Sequence, residues 1–420
     1  MAAFDFRIVS HPCIHPRMTS LWRLERLPFV YGHLPTPSNG GGLPDSFPFE
    51  LGLDERAGRV CQIPTDGLQA ILGRAYAAGS QISGQMDGTG IGRQYADDLL
   101  GELLASLGGG PLNGLRILEI GCGTGYLLSR LRDHGATVLG IEPGTHCSLT
   151  GQPFPVEIIR GFFPNPALKG PFDLILTSMV LEHMEDPVGF LGSMRSFLAP
   201  GGRVWTTVPN AEAFIDQGDI SMLFHEHFSY FTAGSLHNTL VQAGLGDVVV
   251  TRSKLTQVLH SVACSRSTGG ALLDVEDGRA AARRYRQQAE QMIASLRAFL
   301  IERARIGTGV GIYVPGRFVN LTSCLEVDYA ALRFFDDNPA LHGTYFPGIP
   351  IRVENFQELQ QRPPGSVLIM SLSFGGRIRD KVRASLGQQV EITTLGELSG
   401  SLAGRAGLDV PGTRTMGAAP

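Results

Sequence analysis

The sequence predicts an α/β protein with two doubly wound sheets and a small domain in front of them. Three observations carry this: buried-strand runs alternate with amphipathic segments from Gly114 to Asn210, a second strand–helix series runs from Gly307 to Ser399, and a long charged helical stretch separates the two. A length of 420 residues suits two or three domains at roughly 150 residues each. The 39 acidic and 35 basic residues give a formal charge of −4, and only Lys169, Lys254 and Lys381 are lysines, which excludes a nucleic-acid or polybasic membrane binder. With 43% hydrophobic and 18% charged residues the chain is not a disordered one, and its 54 glycines and 26 prolines announce many turns. Six cysteines (Cys13, Cys61, Cys122, Cys147, Cys264 and Cys324) include no CxxC pair, so neither a disulfide framework nor a zinc site announces itself. Apolar runs such as Leu174 to Leu181 fall short of the roughly 18 residues that cross a bilayer, and the start MAAFDFRIVSHP has no basic segment before an apolar core. A soluble cytoplasmic protein is expected.

Residues 1–65 are rich in Pro, Gly and His, have weak periodicity and break at PTPSNGGGLP (Pro35 to Pro44); they are expected to form the small N-terminal domain. DGLQAILGRAYAAG and GRQYADDLLGELLASL, between Asp66 and Leu107, have helical apolar spacing and flank the glycine-rich QMDGTGIG, which predicts two helices around a loop. LRILEI, ATVLGIE, FDLILTSM and GGRVWTTVP read as buried strands of a parallel sheet. YLLSRLRDHG and DPVGFLGSMRSFL read as the helices between them. This first sheet, with its helical lid, is expected to span 66–265, ending in a helix and short strands near Val248 to Cys264. Within 266–306 a helix from about Asp274 to Ile306, acidic at its start and Arg-rich after it, suits the helix dipole and would space two domains. VGIYVPGR, YAALRFFDDNP, GIPIRV, GSVLIMSLS and VEITTL then predict a second, smaller Rossmann-like domain over 307–399, and the small polar residues of 400–420 a flexible tail.

The sharpest motif is Leu118-Glu119-Ile120-Gly121-Cys122-Gly123-Thr124-Gly125, a strand running into a glycine turn and then a helix whose unpaired N–H groups can meet a ligand. Glu142 follows Gly121 by 21 residues, at the end of the next strand, where it can accept hydrogen bonds from two ribose hydroxyls. A nicotinamide dinucleotide site would space its glycines G-x-G-x-x-G; here the third glycine, Gly125, comes too early. With PFDLILTSMVLEHMEDP in the right order behind them, these residues resemble class I S-adenosylmethionine-dependent methyltransferases over about Gly114 to Asn210. The resemblance implies that Gly121 and Gly123 pass along the amino-acid part of the cofactor, that Glu142 holds its ribose, and that S-adenosylhomocysteine is the product. Glu119 would orient the methionine end through the loop, or else cap its own turn. Ser178, Glu182 and His183 follow the fourth strand at the open carboxyl edge, where His183 reads first as a residue packing the turn. Phe162 in IIRGFFP is placed to pack on adenine or to fill the core.

Beyond the fifth strand lies Leu223-Phe224-His225-Glu226-His227-Phe228-Ser229-Tyr230-Phe231. Two histidines flanking a carboxylate could bind a metal, although a third ligand is not plain nearby, or could supply a general base oriented by the acid. The same residues could also simply cap and fill an aromatic turn. Together with YAAGSQIS, the long helix, YVPGR and DDNPALHGTYFPGIPI, this segment resembles the sugar C-methyltransferases that act on nucleotide-linked 4-keto-deoxysugars in antibiotic biosynthesis. The resemblance extends over most of the chain and implies an N-terminal zinc-binding domain, a central methyltransferase and a C-terminal Rossmann-like domain, with the sugar nucleotide in the cleft. It further implies His227 as the base that makes an enolate beside the ketone, Glu226 supporting it or touching the sugar, and Tyr76 reaching in from the lid. Phe224, His225 and Tyr230 would lie beside the substrate. A sulfonium methyl needs no metal, so no catalytic ion is expected.

The chain departs from the family in two places. Phe224 stands where the family has a tyrosine, which removes a hydroxyl that Tyr230 or Tyr76 would have to replace. Where the family has two CxxC pairs, this chain offers His11, Cys13, His15 and a lone Cys61, spacing that does not support zinc. Arg317 in VGIYVPGRFVN could meet a diphosphate or lie on the surface without a ligand. The expected partner is a small molecule, with no nucleic acid or membrane. The alternatives are a hydroxyl or another keto metabolite as acceptor, or a cofactor-binding partner protein without catalysis, against which the intact Glu226 and His227 argue.

Overall fold

The computed structural model describes residues 18–29, 32–38, 42–77, 90–144, 154–253, 257–265, 270–372, 374–398 and 400. They form three sheets of four, seven and five strands. The first begins as an antiparallel meander of β1 (Met18–Pro28), β2 (Ser46–Asp54) and β3 (Arg59–Ile63). Sequence periodicity gives no element here, because register shifts in β1 between Ser20 and Trp22 and between Leu24 and Leu27 break the alternation. The inward side chains, among them Leu24, Leu27, Phe49, Leu51, Leu53 and Val60, are nevertheless buried. Then come α1 (Leu68–Ala77) and α2 (Gly90–Ser106), on either side of the expected loop, which lies outside the described residues.

The central sheet follows with β4 (Arg116–Ile120), α3 (Tyr126–Asp133), β5 (Thr137–Glu142), β6 (Ile158–Arg160), β7 (Phe172–Ser178), α4 (Pro187–Ser196) and β8 (Leu198–Pro209). After α5 (Glu212–Gln217), β9 (Ser229–Tyr230) and α6 (Ala233–Gln242), it ends with β10 (Gly246–Arg252) and β11 (Val258–Cys264). Asp186 caps α4 by accepting from the Gly189 amide at 2.9 Å, with Pro187 in the first turn, and a Thr232–Ser235 capping box starts α6. The strand order is β10-β11-β8-β7-β4-β5-β6. The five strands from β6 to β8 are parallel; β11 runs antiparallel to β8 and to β10, so β10 at the edge has the same direction as the five. The expected parallel sheet thus gains one antiparallel strand, β11, inserted between β10 and β8, because the link from Arg252 to Val258 is too short for a crossover helix and can only close a hairpin. The order reverses between β4 and β7, which opens a crevice at their carboxyl ends.

The long helix α7 (Glu276–Ile306) has Glu276 and Asp277 in its first turn, Arg303 and Arg305 in its last, and Gly307 in the left-handed region at its end. Beyond it, β12 (Val310–Tyr313), α8 (Gly316–Leu321), β13 (Leu332–Phe335), β14 (Val353–Glu354), α9 (Phe356–Gln361), β15 (Ser366–Ile369), α10 (Gly375–Leu386), β16 (Glu391–Thr394) and α11 (Leu395–Leu398) complete the chain. Their sheet is all parallel, in the order β14-β13-β12-β15-β16. The α7 helix is more than a spacer. Its buried stripe (Ala281, Ala282, Tyr285, Ala289, Met292, Ile293, Leu296 and Phe299) shares one core with Leu24 and Phe49 of the first sheet and Ile312 and Phe318 of the last unit.

The α8 helix fastens the last unit to the segment in front of β9. Asn320 is buried, and its side-chain amide donates to the carbonyls of Ile220 (2.9 Å) and Leu223 (3.0 Å). The Tyr285 hydroxyl donates to the Asp219 carbonyl at 3.3 Å, and Arg317 pairs with the buried Asp219 carboxylate at 2.6 Å. Removing the Asn320 amide would leave the buried Leu223 carbonyl without a partner among the described residues and the Ile220 carbonyl with the Leu223 amide alone (3.1 Å). Asn320→Ala is therefore expected to lower unfolding free energy by about 1–3 kcal/mol in urea titrations; an unchanged midpoint would show that water replaces the amide.

Candidate active site

The carboxyl edge of the central sheet carries two groups of residues. The first surrounds the turn between β4 and α3, where Gly121, Gly123 and Gly125 have φ of 75°, 52° and 78°. A side chain at Gly121 would lie 2.5 Å from Val180, whereas one at Gly123 would meet nothing within 4 Å among the described residues, which leave the space in front of it open. Glu142, at the end of β5, accepts from the amides of Gly123 (3.0 Å) and Gly144 (2.7 Å), which fixes its carboxylate beside that space. The Gly161 amide donates to the Glu142 carbonyl at 3.1 Å, bringing the exposed Phe162 ring to the same end of the sheet. Ser178 ends β7, and Met179 behind it takes the left-handed conformation (φ 54°) that lays Val180 against Gly121. Glu119 is buried in β4 and its Oε2 has no partner among the described residues. Burial, and then the charge of Glu142, push its carboxyl up to about 8.

The second group is the loop before β9. The His227 amide donates to the Phe224 carbonyl at 3.0 Å, closing a turn with His225 and Glu226 at its corners. The turn sends neighbouring side chains in different directions. His225 is buried among Phe29, Phe47 and Phe49 of the first sheet, and its Nε2 meets the Phe47 carbonyl at 3.1 Å. His227 instead faces the sheet edge: its ring stands edge-on to His183 at 4.8 Å and to Phe224 at 5.1 Å. Burial, and then the neighbouring His183, hold the His227 imidazole well below its ordinary range, so it is neutral at physiological pH. His183 Nδ1 donates to the Glu226 carbonyl at 3.0 Å, and burial lowers that imidazole to about 4. Glu226 and Glu182 are both buried, and burial raises each carboxyl to about 8.

Three units hold this loop. The Phe228 amide donates to the Glu182 carbonyl at 2.7 Å, tying it to the turn after β7. β9 pairs with β3, and the Gln62 side-chain amide, with its nitrogen toward the loop, donates to the carbonyls of His225 (3.2 Å) and His227 (3.1 Å). Asn320 holds the residues just before it.

Several sequence expectations change. His225 points away from the sheet edge because the turn aims it into the aromatic pocket of the first sheet. Tyr230 is buried and its hydroxyl is taken up by the Phe224 amide (3.2 Å) and carbonyl (3.4 Å), so it does not restore the hydroxyl missing at Phe224. Arg317 is not an unpaired surface residue, since it pairs with the buried Asp219 carboxylate, which requires a counter-charge. His183, read as a packing residue, touches the HEH loop through both its ring and its Nδ1. Tyr76 lies in the last turn of α1, and its side chain falls outside the described residues, as do His11, Cys13 and His15. Cys61 is buried in β3, and burial pushes its thiol up to about 12. Gln62, Met179 and Asn320 were not foreseen; the available signal was an amide inside an apolar run, in VCQI and in FVNL.

Residues 92–249 match the family model of a methyltransferase domain, and residues 275–394 match that of a C-methyltransferase C-terminal domain. The C-methyltransferase NovU of Streptomyces niveus is 25% identical over 302 residues, which cover 66% of this chain and 71% of that one. The chain is an S-adenosylmethionine-dependent methyltransferase that carries a C-methyltransferase C-terminal domain. A ubiquinone biosynthesis O-methyltransferase of Caulobacter sp. (strain K31) is 37% identical, but over 100 residues, 22% of this chain and 40% of that one. Among solved structures, the 1,6-didemethyltoxoflavin-N1-methyltransferase of Burkholderia thailandensis aligns with a TM-score of 0.36 and 15% identity, over 49% of this chain and 95% of that one. The first group of residues fits an S-adenosylmethionine cofactor: among the described residues it has space before Gly123, a fixed acid at Glu142 and a carboxyl oxygen without a partner at Glu119. Among the described residues no helix of the methyltransferase is long and apolar enough to cross a membrane.

Glu119 gives the site a pH signature. Its carboxyl ionises near 4.5 when ordinary and near 8 when folded, so its contribution to stability is complete below about 4.5 and is lost as pH rises through about 8. Glu119→Gln is expected to gain stability over the parent across that interval and to stop gaining above it. Melting curves from pH 4 to pH 9 read this, and parallel curves would mean that Glu119 ionises normally.

Proposed function

We propose that the enzyme methylates the carbon next to a ketone in a nucleotide-linked deoxysugar, in cytoplasmic natural-product biosynthesis, with His227 as the base. The observation that carries the reading is a neutral imidazole, His227, held at the same sheet edge as the glycine turn and Glu142. In this reading Glu142 holds the cofactor's ribose, Gly121 and Gly123 line its amino-acid part, Glu119 orients the methionine end through the loop, and Phe162 and Ser178 flank it. When bound, S-adenosylmethionine supplies an electrophilic methyl group. Similarity to NovU along most of the chain supports carbon as the acceptor atom.

His227 takes the proton from the carbon beside the ketone, using the lone pair that burial keeps unprotonated. The enolate oxygen then needs a donor, and Phe224 has none. Glu226, whose carboxyl stays protonated to about 8, supplies it as a buried acid, with Oε1 unpartnered among the described residues. Phe224, packed on the His227 ring, closes the site against water.

Supplying a panel of 4-keto sugar nucleotides with 13C-methyl cofactor, and locating the label by NMR, tests the acceptor: label on the carbon beside the ketone is expected, and label on oxygen overturns the reading. His227→Asn is expected to abolish solvent-deuterium exchange at that carbon while leaving S-adenosylhomocysteine affinity unchanged; surviving exchange moves the base elsewhere. An acid at Glu226 also fixes a pH profile, because the donor is lost as pH rises through about 8. Turnover should fall above that pH in the parent but not in Glu226→Gln, which keeps an N–H donor. Glu226→Ala should lose about 10²-fold in kcat below that pH, with the gap to the parent closing above it.

A further inference from the structure

Glu182 has no part in the mechanism above, yet it is buried and its Oε2 has no partner among the described residues. Such an orphan acceptor in a native core calls for a ligand or a water. Beside it stand His183, its chain neighbour, and His227, delivered from the loop before β9 by the hydrogen bond from the Phe228 amide to the Glu182 carbonyl. One donor atom from each of the three side chains lies within 4.8 Å of the other two.

We propose that Glu182, His183 and His227 form a binding site for a divalent transition-metal ion. Two imidazoles and one carboxylate are the donor set of zinc, cobalt and nickel sites that keep open coordination positions. The ring of His183 is already oriented as a ligand. Its Nδ1 donates to a carbonyl, that of Glu226, which fixes the tautomer and leaves Nε2 as the bare nitrogen. Phe224, packed on the His227 ring, gives the site an apolar wall. An ion there takes the same His227 lone pair that would receive the substrate proton, so metal and substrate deprotonation compete. That consequence alone rests on the reading of His227 as base; the binding site does not.

The test titrates the full chain, stripped with chelator, with Co2+ while following visible absorption and paramagnetically shifted imidazole N–H signals. One saturable equivalent with signals from two histidines is expected. Glu182→Gln and His183→Asn should each weaken Co2+ by about 100-fold or more, while S-adenosylhomocysteine binding reports an intact fold. The asparagine amide keeps the donor to the Glu226 carbonyl. No saturable binding by the parent chain, no shifted histidine signals, or undiminished binding by both variants overturns the site. Deuterium exchange measured on the Co2+-loaded chain separates the two readings: exchange silenced by the ion supports both, and exchange that continues at full loading keeps the site and removes His227 as the base.

Discussion

Two buried carbonyls, those of Ile220 and Leu223, govern how the candidate site is assembled. They bracket a single 3-10 turn, in which the Leu223 amide donates to the Ile220 carbonyl at 3.1 Å; the Leu223 carbonyl has no such partner, and an unpaired carbonyl in a dry interior costs as much as a lost hydrogen bond. The Asn320 amide meets both, and in doing so sets the position of α8 against the loop that carries His227. Gln62 repeats the device from the opposite side, meeting the carbonyls of His225 and His227 from β3. The loop is short of regular structure but not of partners, and its side-chain directions follow from a backbone fixed at both flanks.

Electrostatics at the site follow from the same enclosure. Glu119, Glu182 and Glu226 are taken out of water without cationic partners among the described residues, so each holds its proton far longer than a surface carboxylate. The imidazoles of His183 and His227 respond in the opposite sense and give theirs up. A site of neutral acids and neutral bases holds no isolated charge in a low-dielectric space before a substrate arrives.

Much of the fold was legible because the central sheet writes itself in the sequence as buried runs between amphipathic helices. LRILEI, ATVLGIE and FDLILTSM became β4, β5 and β7, and the glycine turn with Glu142 was readable from spacing alone. The first sheet was not, since bulges in β1 interrupt the alternation that identifies a strand. At the candidate site, residue types were legible and directions were not. HEH reads as two equivalent histidines, but the hydrogen bond from the His227 amide to the Phe224 carbonyl makes them corner and flank of a turn, and they part company. The contributions of Gln62 and Asn320 depend on contacts between segments far apart in the chain, which no local pattern encodes.

The pairing of β3 with β9 joins Cys61 to Ser229 and Val60 to Tyr230. A strand near the start of the chain therefore finds its edge partner only after most of the central sheet has been synthesised, a contact of high sequence separation whose loop-closure entropy is met late. During translation the N-terminal meander must leave the ribosome with β3 as a bare edge, open to pairing with other chains. Glu50 and Arg59, charged residues within the meander's strands, stand in β2 and β3 while that edge waits. The arrival of residues 229–230 closes the edge and, in the same motion, sets His227 in place, so the last step in completing the first sheet is also the step that assembles the site.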